Sequence, residues 1–132
     1  MELWLAAYLI TCAIEIPCYV NLVKRSGWPV TNYWQVAGLA WLVQFTQPLL
    51  WLYEPPDYLG LIVAELLVVL VEGGIFAAAG RHWLLKAWRS RRDFSQAKPA
   101  LTGWLIIQAL LMALIANICS VVIGMIPLFV IY

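Results

Sequence analysis

The stretch Leu59–Ala79, LGLIVAELLVVLVEGGIFAAA, decides the fold of this chain. It is long enough to cross a bilayer as a helix, which takes about 20 apolar residues. Two carboxyl residues, Glu65 and Glu72, lie inside it. Their i, i+7 spacing is about two helical turns and places both on one face of a helix. Because an ionisable group within a membrane helix is costly, the pair marks a candidate functional site.

The composition is that of an integral membrane protein. Hydrophobic residues make up 64% of the 132 residues and charged residues 11%, whereas soluble domains average about half and a quarter. Three further apolar runs predict an all-α bundle of four transmembrane helices, at about 3–23, 32–53, 58–79 and 101–126. Pro127 is expected to end or kink the last helix. Because the linkers are short, residues 1–132 are predicted to form a single transmembrane domain.

The basic residues orient this predicted bundle. All eight Lys and Arg residues fall in its first and third connections, which lie on the same side. The positive-inside rule makes that side cytoplasmic and places both termini outside. After the third helix, residues 81–93 form a basic amphipathic segment of the kind that favours anionic lipids. Its candidate headgroup contacts are Arg81, Lys86, Arg89, Arg91 and Arg92.

Polar residues on all four predicted helices fall at a similar depth. Counted at 1.5 Å per residue, they occupy a slab between the middle of the bilayer and its outer third. We therefore expect one polar cluster that binds an ion or a proton. Its predicted members are Glu15, Gln44, Thr46, Gln47, Glu65, Glu72, Asn117 and Ser120. On the first helix, the spacing places Glu15 in a wider stripe made of Tyr8, Thr11, Cys12, Glu15 and Tyr19.

Small residues predict close packing of the third and fourth helices with each other or with a partner. The positions expected at such contacts are Gly73, Gly74, Ala77, Ala116 and Gly124. Two other features complete the pattern. Pro48 removes a backbone donor, which predicts a structural kink; the alternative is that the carbonyl of Gln44 is left free as an oxygen ligand. Trp28 is expected to anchor the first connection at the membrane interface.

Four short motifs follow one another along most of the chain. They are Glu15-x-Pro17, Thr46-x-Pro48-x-x-Trp51, Glu65-x6-Glu72 and Ala116-Asn117-x-x-Ser120. In this order they resemble uncharacterised small four-helix bacterial membrane proteins. The resemblance implies a place in the bacterial inner membrane and implies no activity.

Three classes of function remain open. Intramembrane carboxyls can bind or relay a proton or a cation, and without a cation at least one should be protonated at neutral pH. Alternatively, the acids and amides hold a non-catalytic accessory subunit to a larger membrane complex. The third class is an intramembrane enzyme that uses paired carboxylates as acid and base. It is the least favoured, because the sequence has no nucleophile–base pair, metal-ligand set or phosphate-binding loop.

The sequence also bounds the partners. Four helices barely enclose a pathway by themselves, so we expect a homo-oligomer or other membrane subunits. The net charge of +1 gives no argument for nucleic acid. The sequence indicates no metal site, and it leaves the cofactor unknown.

Overall fold

A computed structural model describes residues 2–53, 57–90 and 100–131, which form five helices and contain no strand. The helices are α1 (Glu2–Arg25), α2 (Tyr33–Val43), α3 (Thr46–Tyr53), α4 (Tyr58–Ser90) and α5 (Ala100–Ile131). Side-chain caps begin two of them. The carboxylate of Asp57 accepts the N–H of Gly60 at 2.7 Å, and the amide oxygen of Asn32 accepts the N–H of Trp34 at 2.9 Å. Asp57 therefore caps the start of α4.

The second predicted span is interrupted. The expected continuous helix over residues 32–53 is instead α2 and α3, separated by a turn at Gln44 and Phe45. Pro48 explains the interruption, because it has no N–H to offer the carbonyl of Gln44. The N–H of Gln47 takes that carbonyl at 3.2 Å instead, in a tighter i→i−3 bond. The kink expected at Pro48 is therefore confirmed, and the alternative of a free Gln44 carbonyl was wrong.

The third and fourth predicted spans are longer helices than expected. α4 has 33 residues and a length of about 50 Å, well beyond the roughly 30 Å of a bilayer core. The basic segment is thus the end of α4 as far as Ser90, and residues 91–93 lie outside the described residues. α5 runs through Pro127 to Ile131, so the proline does not end it.

Two contacts give the relative direction of α1 and α4. Tyr19 of α1 contacts Glu72 of α4, and Trp28, further along the chain from α1, contacts Gly80, further along α4. α1 and α4 are therefore parallel. α4 packs most extensively on α5, and α1 packs on α5 and α2. The shared core is built from one aromatic pair and from small residues of α5, namely Tyr19, Phe76, Ala109, Ala113 and Ala116.

Only one of the two predicted helix-packing glycines on α4 is at a close contact. A Cβ added at Gly73 would lie 2.7 Å from Leu110 Cδ2 and 3.1 Å from Leu110 Cα, so the α5 backbone approaches closely here. A Cβ added at Gly74 would meet nothing within 4 Å. Gly74 does not contact α5, because one residue changes the direction by about 100° around a helix axis. Its expected contact with a partner stays a prediction.

Two helices are long and apolar enough to cross a membrane. The apolar windows are Ile62–Ala87 in α4 and Gly103–Ile123 in α5, among the described residues. Only 33% and 28% of these windows is buried within the chain, whereas a core helix of a soluble protein would be mostly buried. Their exposed residues are largely Leu, Ile and Val, which indicates an apolar surrounding. The four-span topology itself stays a prediction.

The two neighbouring glycines give a matched test of this packing. We expect Gly73→Leu to lower the free energy of unfolding by at least about 2 kcal/mol relative to Gly74→Leu, because only the first side chain must displace α5. Both changes give α4 the same gain in helix propensity, so the difference isolates the contact. Unfolding in mixed detergent micelles, followed by circular dichroism, measures it. Equal stability of the two variants would contradict the close approach.

Candidate functional site

Glu72 is the centre of a buried hydrogen-bond network. Its side chain has no solvent exposure. The hydroxyl of Tyr19 donates to Oε2 at 2.7 Å, and the amide of Asn117 approaches the same oxygen at 3.3 Å. Thr46 Oγ1 lies 2.8 Å from Oε1. The three partners come from α1, α5 and α3, so this one carboxyl joins three other helices to α4.

The position of Tyr19 is fixed by an aromatic stack. Its ring lies parallel to that of Phe76, with centroids 4.3 Å apart and an interplanar angle of 5°. Both rings are fully buried. Phe76 is one helical turn beyond Glu72, so the stack holds the phenol above the carboxyl. Tyr19 was not among the predicted site residues, although its place in the stripe with Glu15 was the available signal.

Thr46 contacts two acceptors with a single proton. Its Oγ1 lies 2.8 Å from the carbonyl of Val43 and 2.8 Å from Glu72 Oε1. A hydroxyl has one O–H to donate and lone pairs to accept with. If Thr46 donates to Val43, its oxygen can accept a proton from a protonated Glu72. If Glu72 is ionised, the hydroxyl turns to it. Both protonation states of Glu72 are therefore accommodated without moving a heavy atom.

A second buried pair is formed by Glu15 and Gln44. The Gln44 amide donates to Glu15 Oε2 at 2.6 Å, and both side chains have no solvent exposure. The other oxygens of the pair, Glu15 Oε1 and Gln44 Oε1, have no hydrogen-bond partner among the described residues. Two acceptors without a donor in an apolar bundle cost free energy. A proton on the free oxygen of Glu15 would convert it into a donor.

One turn of α5 lies between the two carboxyl groups. Asn117 donates from its amide to Glu72 at 3.3 Å and to the carbonyl of Ala113 at 3.1 Å. The hydroxyl of Ser120 donates to the carbonyl of Asn117 at 2.9 Å. Gln44, which pairs with Glu15, and Thr46, which pairs with Glu72, are two residues apart at the turn between α2 and α3. The two pairs are thus neighbours in one site.

Two predicted members lie at the edge of this site. Glu65 and Gln47 are half-buried, and neither side chain makes a hydrogen bond with another described side chain. The charge of Glu65 interacts with that of Glu15. The structure therefore brings together six of the predicted residues and Tyr19, and leaves two aside. The six are Glu15, Gln44, Thr46, Glu72, Asn117 and Ser120.

The remaining predicted residues are distributed as follows. Ala116 is fully buried in the core. Ala77 is partly buried and packs against the core. Gly124 lies in α5, but its contacts fall outside those that the structure describes. Arg81, Lys86 and Arg89 are exposed on α4, whereas Arg91 and Arg92 lie outside the described residues. Among the described residues, no three His, Cys, Asp or Glu side chains are grouped as metal ligands.

The phenol bond can be tested without disturbing the stack. Tyr19→Phe keeps the ring and removes the donor to Glu72, so we expect the free energy of unfolding to fall by about 1.5–3 kcal/mol. Tyr33→Phe, which changes an exposed phenol at the start of α2, is the control and should stay within about 0.5 kcal/mol. Denaturation of both variants in the same micelles gives the comparison. Equal small losses would show that the Tyr19–Glu72 bond contributes no stability.

Comparison with known proteins adds no relative to this geometry: no family model, no curated protein and no solved structure matches the chain. A function must therefore be inferred from the buried carboxyl network itself.

Proposed function

We propose that this chain is a small membrane protein whose buried carboxyl–amide site binds and relays a proton. The site consists of Glu15, Gln44, Thr46, Glu72, Asn117 and Ser120 together with Tyr19. The observation that carries the proposal is the double contact of Thr46, which suits Glu72 both with and without its proton. A purely structural hydrogen bond has no need of such an arrangement, since one fixed donor and one fixed acceptor suffice.

The surroundings of Glu72 favour a proton over a metal ion. Tyr19 and Asn117 direct O–H and N–H groups at Oε2. Such donors stabilise a carboxylate, but they repel a cation that approaches the same oxygen. A proton on Glu72 Oε1 can be donated in a hydrogen bond to the oxygen of Thr46. It requires no free coordination position. The oxygens at Glu72 therefore act as a place where one proton is held and released.

Glu15 supplies a second protonation position. Its free Oε1 and the free Oε1 of Gln44 are both acceptors, and one proton on Glu15 removes the shortage of donors at its own oxygen. Two like charges in one low-dielectric interior disfavour each other, so the pair carries one negative charge more readily than two. A proton that leaves one of the two carboxyls is therefore favoured to be held by the other.

The proposal includes a four-span membrane topology. α4 and α5 have the length and composition for spanning, and Glu72 lies within the apolar window Ile62–Ala87. We infer that α1 and the α2–α3 rod cross beside them, with both termini outside and the basic connections in the cytoplasm. The bacterial inner membrane fits this topology. An oligomer or a larger complex would enclose the pathway that four helices only partly surround.

Glu65 favours a second candidate, an accessory subunit. This half-buried carboxyl and Gln47 have no hydrogen bond to another described side chain, and polar groups within a membrane helix are normally paired. A neighbouring subunit that contacts this edge would provide the partner. The two candidates assign different residues, since the relay depends on Glu72 and the subunit contact depends on Glu65. An enzyme using the paired carboxyls is a third candidate that no contact specifically favours.

Two glutamates of the same helix separate the candidates. In proteoliposomes containing a pH-sensitive dye, we expect proton flux through the wild-type protein to fall to the background leak in Glu72→Gln. The amide keeps the size of the side chain but cannot exchange a proton. Glu65→Gln is the matched control and should keep most of the flux. The carboxyl infrared band of a protonated acid should also change in Glu72→Gln or Glu15→Gln.

The following results would contradict the two candidates. If wild-type flux equals that of empty liposomes, or if Glu72→Gln retains it, the relay is refuted. If Glu65→Gln then loses proteins that co-purify with the wild type from native membranes, the accessory role takes its place. Retention of those partners by Glu65→Gln would exclude the subunit contact at this edge.

The topology has its own test. In a variant whose three cysteines are replaced by alanine, we expect Asp57→Cys to react with an impermeant maleimide in intact cells. Ser90→Cys should react only after permeabilisation, because the positive-inside rule places the end of α4 in the cytoplasm. Reaction of Ser90→Cys in intact cells would reverse the orientation. Equal reaction of both positions would contradict a spanning α4.

A further inference from the structure

A polar groove lies at the basic end of the bundle, away from the carboxyl site. It has a volume of about 530 Å³ and separates the connection after α1 and the start of α2 from the last turns of α4. The residues that line it include Thr31, Gln35, His82, Trp83, Lys86 and Ala87. Glu72 precedes Lys86 by 14 residues, so the groove is about 21 Å along α4 from the proposed proton site.

Trp28 holds the wall of this groove in place. The side chain is buried, and its Nε1 donates to Gln108 Oε1 of α5 at 3.0 Å. Its ring lies so close to Gly80 that an added Cβ would be 2.6 Å from it. The next residues turn tightly, with the N–H of Val30 donating to the carbonyl of Trp28 at 2.7 Å. The connection is therefore fixed to α4 and α5, and the groove is a preformed feature.

The lining of the groove suits an anion. Lys86 provides a formal positive charge, and His82 lies one turn earlier on the same side of α4. Thr31 and Gln35 offer a hydroxyl and an amide from the opposite wall. Among the described residues that line it, none is Asp or Glu. Donors from two walls, with a cation on one of them, match the oxygens of a phosphate group.

The position of the groove selects the source of that phosphate. Lys86 is at the end of the apolar window Ile62–Ala87, where a membrane helix meets the headgroup layer. Trp83 forms part of the lining, and tryptophan is enriched at this depth. We propose that the groove is a binding site for the phosphate of an anionic phospholipid, held by Lys86 with His82, Thr31 and Gln35. This assigns a discrete site, beyond general attraction of lipids to the basic segment.

Native mass spectrometry of the full chain in detergent can test the site. We expect dioctanoyl phosphatidylglycerol to bind with one retained equivalent, and dioctanoyl phosphatidylcholine to bind at least tenfold more weakly. Lys86→Gln should weaken binding of phosphatidylglycerol by tenfold or more. Arg81→Gln is the matched control, because Arg81 is an exposed cation of the same helix that does not line the groove. If only the surface charge attracted the lipid, the loss of one cation would cost about 1 kcal/mol, or about fivefold in affinity, at either position.

Three results would overturn the proposal. Equal weakening in Lys86→Gln and Arg81→Gln means that only the surface charge attracts the lipid. Retained binding in Thr31→Trp, which fills the groove and leaves every charge in place, excludes the groove as the site. Displacement of the lipid by inorganic phosphate at an equal concentration means that the ligand is a soluble anion. Loss of binding in Thr31→Trp and Lys86→Gln, with Arg81→Gln less affected, establishes the lipid site.

Discussion

The burial of Glu72 is the constraint on which the rest of the bundle depends. A carboxyl group in an apolar interior is tolerated only if donors surround it, because its desolvation costs far more than one hydrogen bond returns. Here the donors come from three other helices, through Tyr19, Thr46 and Asn117. Each helix must keep a definite rotation to supply its donor. Apolar packing between membrane helices sets no such rotation by itself, since lipid tails compete for the same surfaces.

The interruption between α2 and α3 follows from the same demand. A continuous helix would place Gln44 and Thr46 about 200° apart around its axis. The turn at Gln44 and Phe45 instead directs the amide of Gln44 to Glu15 and the hydroxyl of Thr46 to Glu72. Pro48 makes this turn inexpensive, because it removes the backbone donor that would continue the helix. The local irregularity is thus part of the site.

The sequence predicted the elements and most residues of the site, but it did not predict their rotations. Length and apolar composition located α4, and the depth argument grouped Glu15, Gln44, Thr46 and Asn117 correctly with Glu72. Depth and periodicity together placed Glu65 in the same cluster, where it lies at the edge. The small-residue pattern grouped Gly73 with Gly74, although only Gly73 lies close to α5. Trp28 was expected at the membrane interface, and the structure adds that it is buried against Gly80. Each difference concerns what lies opposite a residue, and this depends on a neighbouring helix that a single segment does not specify.

Glu65 and Glu72 show why a shared face is not a shared environment. Seven residues turn a helix by about 700°, so the two side chains differ by only about 20° in direction but by about 10 Å in depth. At the depth of Glu72, the parallel helix α1 offers the phenol of Tyr19. At the level of Glu65, no described side chain donates a hydrogen bond to the carboxyl. The same helix face therefore meets strong donors at one level and none among the described side chains at the other. This difference in donors separates a carboxyl built into the network from one left at its edge.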